Sequence, residues 1–202
     1  YNPLADLNED GIINVIDIVQ MVNWILNGIP VTQDLELYPF TLNMVSFNVM
    51  PENNTVSSVF NDLDLLFVLN NGEYYVPDYG VDQIGTIQVG EGYKVLLTGS
   101  NSQSLSLEGT PIDLSAIISL DPYTHNSFGF LHQECIDTED ILSGYENQIL
   151  FIKNDQIDYY VPAYGVKTLT EMCPGNGYEI FLNTENSIDF LYSEGSSLEM
   201  SD

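Results

Sequence analysis

Tyr74-Tyr75-Val76-Pro77-Asp78-Tyr79-Gly80-Val81 returns as Tyr159-Tyr160-Val161-Pro162-Ala163-Tyr164-Gly165-Val166, 85 positions later. At the same offset Gly90-Glu91-Gly92-Tyr93 becomes Gly175-Asn176-Gly177-Tyr178. Further matches keep this order with small insertions: Ser46-Phe47 with Ser127-Phe128, Phe67-Val68 with Phe151-Ile152, and Glu108-Gly109 with Glu194-Gly195. An ordered series of this kind marks an internal duplication. It divides most of the chain into two modules, 37–111 and 112–202, behind a distinct unit at 1–36.

Each copy carries the same local signals. An apolar alternation (Met44, Ser46, Phe47, Val49) predicts a first strand. A capped segment of helical spacing follows, Asn54 to Leu63 or Asp137 to Leu142. Leu65 to Leu69 and Ile149 to Ile152 are short apolar runs that suit buried strands. Asn70-Asn71-Gly72 predicts a tight hairpin into Glu73 to Val76. Lys94 to Thr98 and Glu179 to Asn183 predict strands after Gly-x-Gly-Tyr, and Ser104 to Leu107 or Ile188 to Tyr192 closes each module. The modules are therefore expected to be mainly β, with one short helix per copy. Lys94 and Glu179 occupy matching sites, so modules packed about a pseudo-twofold through these strands would pair the two charges.

The unit before the modules has a different grammar. Asp6-Leu7-Asn8-Glu9-Asp10-Gly11-Ile12-Ile13-Asn14-Val15-Ile16-Asp17 places oxygen side chains at loop positions one, three, five, nine and twelve, with glycine at six. Calcium takes six to eight oxygen ligands, and this spacing wraps a short loop around one ion. The ligands would be Asp6, Asn8, Asp10, the Ile12 carbonyl, Asn14 and Asp17; the alternative is an acidic turn without metal. A helix is predicted next, with Ile18, Val22, Ile25 and Leu26 as its apolar stripe, Asn14 as its cap and Gly28-x-Pro30 as its stop. That stripe is expected to dock on the first module.

A calcium loop followed by a helix, with no helix before it, resembles the calcium repeat of dockerins over Asp6 to Leu26. Dockerins that bind cohesins carry two repeats and often hydroxyl residues at loop positions ten and eleven. This chain has one repeat, with Val15 and Ile16 there, so the resemblance implies a calcium site and not cohesin binding. Tyr1-Asn2-Pro3-Leu4-Ala5 resembles the end of short repeats in large secreted proteins of marine bacteria and some giant viruses. The module pair is similar to β-rich modules that follow dockerin-like repeats in such proteins. What this implies is a secreted, cell-surface, filament or virion-surface location, without supplying a reaction. The fold class expected is mainly β with short helices: an N-terminal calcium loop–helix plus two tandem homologous β modules.

Composition narrows the function. Acidic residues number 30 against 3 lysines and no arginine, a net charge of -27. A phosphate backbone is repelled by such a surface, which excludes nucleic acid as a partner, and no apolar run is long enough for membrane insertion. The 44% apolar content is too high for a disordered acidic tail. The chain starts at Tyr1 with no signal peptide, as a mature chain or a piece of a larger one would.

Cys135 and Cys173 both lie in the second copy, opposite the neighbourhood of Asn53 and Gln88 respectively in the first, and are expected to form a disulfide in an extracellular setting. Tyr74, Tyr79, Tyr159 and Tyr164 are candidate sugar-stacking residues, although tyrosines in strands are more often packing residues. Asn53-Asn54-Thr55 is a glycosylation sequon. His125 and His132 have no identifiable catalytic partners, and neither a Gly-x-Ser-x-Gly elbow nor a His-Glu-x-x-His helix occurs. The expected function is a non-enzymatic, calcium-stabilised extracellular structural or adhesion segment, with other copies of itself or other modules of a larger protein as partners. The alternative is a carbohydrate-binding module pair with glycans as ligands.

Overall fold

A computed structural model describes residues 5–8 and 10–192, with only the backbone of Asn27. Helix α1 (Val15–Asn27) leads into the first module. That module runs β1 (Val31–Leu37), β2 (Asn43–Ser46), β3 (Val49–Met50), the one-turn helix α2 (Val56–Val59), β4 (Leu65–Asn70), β5 (Glu73–Val76), β6 (Val81–Asp82), β7 (Gly92–Leu97) and β8 (Gln103–Pro111). The second runs β9 (Ile118–Leu120), β10 (His125–Gly129), β11 (Ile136–Asp137), the one-turn helix α3 (Thr138–Ile141), β12 (Ile149–Lys153), β13 (Tyr159–Val161), β14 (Val166–Lys167), β15 (Glu171–Met172), β16 (Gly177–Leu182) and β17 (Ile188–Phe190). The protein is mainly β, and the paired strands are antiparallel.

The duplication reappears as topology. One five-stranded sheet has the order β2-β7-β4-β5-β6 and the other β10-β16-β12-β13-β14. Val68 lies opposite Tyr75 and Val95, and Ile152 lies opposite Tyr160 and Ile180. Each sheet covers its own apolar cluster, one around Phe47, Phe60 and Tyr93, the other around Phe130, Leu142 and Tyr178. Both buried tyrosines use their hydroxyl in the same way. Tyr93 Oη accepts from the Gln88 amide at 2.7 Å and Tyr178 Oη from the Cys173 amide at 2.8 Å. Burial pushes the Tyr178 phenol up to about 12 and the Tyr93 phenol higher still. The Asn71-Gly72 turn has positive φ at both residues, as a two-residue hairpin requires.

Four expectations need correction. The strand register aligns Asn43 with Asn126, each accepting a backbone N–H at 2.8 Å to close the preceding turn. Ser46 therefore corresponds to Gly129 and Phe47 to Phe130, and the Ser-Phe match read from sequence is two residues out of register. β2 does not alternate, because all four of its residues are buried, with a core on one side and the second module on the other. The first module begins at Val31 rather than Leu37, since β1 pairs with β8 from Val31–Gly109 to Leu37–Gln103. The segment read as helical from Asn54 to Leu63 contains only the single turn α2, whereas Asp137 to Leu142 is α3 with its two caps, as read. The Glu194-Gly195 match and residues 1–4 lie outside the described residues.

The modules meet backbone to backbone about a pseudo-twofold. The Ser46 amide donates to the Gly175 carbonyl at 2.9 Å, and the equivalent Gly129 amide donates to the Gly90 carbonyl at 2.8 Å. Bridges join Val45 to Asn176 and, symmetrically, Phe128 to Glu91. This approach explains the glycines of Gly-x-Gly-Tyr. A Cβ on Gly177 would stand 2.5 Å from the Val45 carbonyl oxygen, and one on Gly92 2.8 Å from that of Phe128. Lys94 pairs with the buried Glu179 across the axis. Lys153 joins at 3.1 Å and His125 Nδ1 at 2.6 Å, so one carboxylate collects two of the three lysines. Burial, the largest single influence, would push the Glu179 carboxyl up. The hydrogen bond and charge of Lys94, then those of Lys153, outweigh it and hold the group below its ordinary value.

Gly177→Ala should cost about 1–3 kcal/mol through forced overpacking, read as a lower denaturant midpoint. Gly99→Ala, where a Cβ meets only the side-chain ends of Gln103 and Asp64, should be tolerated. A carboxylate lowered on folding adds stability that is complete above its unfolded value, about 4.3. That stability is lost as pH falls through the folded value. Glu179→Gln should thus flatten the acid limb of the stability curve below about pH 4.3, and an unchanged limb would remove Glu179 as its source.

Candidate metal centre

The loop before α1 is closed by its own carboxylates. Asp6 and Asp17, at positions one and twelve, are both buried. Asp17 Oδ1 accepts the Leu7 amide at 2.8 Å while Oδ2 accepts the Asn14 amide at 2.6 Å, drawing the two ends of the loop together. Asp6 Oδ2 accepts the Gly11 amide at 2.8 Å, and Gly11 turns the chain there at φ 85°. Asp10 Oδ1 accepts from Ile12 N at 2.8 Å, and Asn8 Nδ2 donates to Asp10 Oδ2 at 2.9 Å. Asn14 caps α1 by accepting from Ile16 N at 2.7 Å, and with Asp17 it forms a reciprocal capping box. The Asn14 amide holds the Asp17 carboxyl below the usual carboxylate range; burial opposes it and the Leu7 amide adds to it. Asp6, Asp10, Asp17, Asn8, Asn14 and the Ile12 carbonyl supply oxygen donors of a kind that suits a hard cation such as calcium. Here the carboxylates accept backbone amides and do not all lie within 4.8 Å of one another.

The helix departs from expectation in which side it turns to the module. Gln20, Asn23 and Trp24 line a cleft of about 720 Å³ opposite Met50, Glu52, Glu108 and Thr110. The apolar stripe points away, with Ile18, Val22, Ile25 and Leu26 at 45–74% exposure. The physical reason lies in the seat offered by the first module. Its edge there carries Glu52, Glu108 and Thr110, which suit the polar flank of the helix and not its aliphatic one.

Cys135 and Cys173 form a disulfide that links the α3 side of the second module to the loop before β16. The nearby Glu171 completes the only His, Cys, Asp and Glu grouping of metal-site dimensions among the described residues, but disulfide sulfurs are not thiolate ligands. Tyr75 and Tyr160 pack toward the cores, whereas Tyr74 sits edge-on to Phe67 and Tyr159 to Phe151. Tyr79 and Tyr164 stand 81% and 79% exposed in matching 3-10 turns. None of the four candidate tyrosines lines the cleft beside α1 or the cleft of about 330 Å³ at the module junction. Asn53 is exposed and accepts from Thr55 Oγ1 at 3.0 Å. His132 is buried against Phe130 and Tyr192, and burial lowers its pKa. Sequence reasoning paired Lys94 with Glu179 and missed Lys153 and His125; that so few cations occur in the chain was the available signal. No described helix is long and apolar enough to cross a membrane.

Comparison with family models, curated proteins and solved structures finds no match to this chain. Its site is therefore read from its own residues. Asn14→Ala removes the helix cap, a loss of about 1 kcal/mol. Amide exchange should quicken across α1 and stay unchanged in β7 and β16; equal quickening in all three would mean that α1 is not a separate unfolding unit.

Proposed function

We propose that this chain is a non-enzymatic, calcium-stabilised structural or adhesion segment of a larger extracellular or surface assembly. The observation that carries the reading is a loop with oxygen side chains at positions one, three, five, nine and twelve, closed by Asp17, which accepts the Leu7 and Asn14 amides. Calcium would neutralise carboxylates that otherwise repel one another on a chain of charge -27. The disulfide supports an oxidising, extracellular location. The backbone-bonded module pair supplies a rigid spacer behind the loop. A second reading, glycan binding, draws on Tyr79 and Tyr164, which present exposed rings at equivalent points of the two modules.

Metal that binds only the folded state adds about 2.7 kcal/mol at one hundred times its Kd. Chelation should accordingly lower the melting temperature, and Asp6→Asn should abolish the difference between calcium and chelator. A melt indifferent to chelator and calcium would remove the calcium reading. A glycan array on which Tyr79→Ala and Tyr164→Ala each lose a defined signal would replace the structural role with sugar binding.

A further inference from the structure

Among the described residues, exposed large apolar side chains are concentrated in the α1 segment. Eleven apolar side chains between Ile12 and Ile29 are 45–74% exposed. Within α1 the only ionisable residue is Asp17, which is buried in the loop. A contiguous apolar face of this kind marks an interaction site rather than ordinary surface.

Three observations choose the occupant. First, a stable interface buries about 800 Å² per partner, and eleven apolar side chains, each roughly half to three-quarters exposed, offer an area of that order. Secondly, charge restricts what can approach. At -27 most of the surface of another copy is repelled, whereas the α1 stripe is free of charge and meets its own counterpart without bringing carboxylates together. Thirdly, the alternative docking surfaces are poor. The outer edges of the five-stranded sheets end in the two-residue strands β6 and β14, too short to template another strand. The seven-residue edge β1 turns Asp34 and Glu36 to solvent.

We infer that the α1 face is the contact between two copies of this chain, apposed about a twofold axis so that one stripe covers the other. An isologous contact of this type needs a single self-complementary patch, which the charge-free stripe supplies. The inference deepens the assembly reading above by naming its surface, and it does not depend on the identity of the metal.

Sedimentation of the full chain at micromolar concentration in physiological salt, with calcium and with chelator, tests it. The expected result is twice the chain mass, falling to a single chain mass for the double variant Ile18→Gln, Ile25→Gln. Both side chains point away from the module, so circular dichroism and the module melt should match the parent. A parent chain that stays monomeric in both conditions overturns the inference, whether another partner or another part of the protein covers the stripe. A dimer that survives the double substitution overturns it too, because the contact then lies elsewhere. A chelator-sensitive melt of a monomer would leave the calcium reading standing while this inference falls.

Discussion

Backbone meets backbone where β2 and β10 cross the two Gly-x-Gly-Tyr loops, and the rest of the molecule is arranged around that contact. Two amide-to-carbonyl bonds of 2.8–2.9 Å hold it, and no side chain fits between the chains. The glycines are one half of the device and the tyrosines the other. Each buried phenol fixes the loop ahead of its strand by accepting an amide, so the loop reaches the neighbouring module in a set position. Burying a hydroxyl without a partner would be costly, and these two are satisfied within their own modules. The contact also uses the edges that β2 and β10 would otherwise expose, leaving each sheet only a short outer edge.

The N-terminal unit obeys a different constraint. A twelve-residue loop is too small to hold a core, and its order comes from carboxylates and amides bonding backbone N–H groups. The helix it launches is seated by polar side chains and Trp24 rather than by its aliphatic stripe. Helices packed within one domain usually show the opposite arrangement. The same inversion leaves the tightly packed modules independent of α1: both apolar clusters are made of residues from Leu35 onward.

Repetition made the fold legible, because matched motifs at a constant offset report common topology whatever their individual propensities. Tyr74-Tyr75 and Gly-x-Gly-Tyr placed the central strands correctly. Ser46-Phe47 misled because two identical letters outweighed the less conspicuous Asn43 and Asn126, whose side chains do the equivalent structural work. β1 was missed because most of it falls in the segment assigned to the N-terminal unit, although Gln33, Leu35 and Leu37 are buried along one face. The residues that close the loop, Asp6, Asp10, Asn14 and Asp17, are among those the spacing singled out, and each accepts a nearby backbone amide. The seat of α1 could not be read, because periodicity identifies an apolar stripe without saying what will cover it.

Lys94 and Glu179 began as the same position in two copies and now carry opposite charges. Two first modules brought together about the same axis would oppose lysine to lysine, and two second modules would bury one glutamate against another. Only the unlike pair is electrostatically permitted. The short connection from β8 to β9 keeps that unlike partner at high effective concentration within the same chain. A surface that could have served self-association between molecules has thereby become a private lock, and recognition between copies has to be handled by some other face.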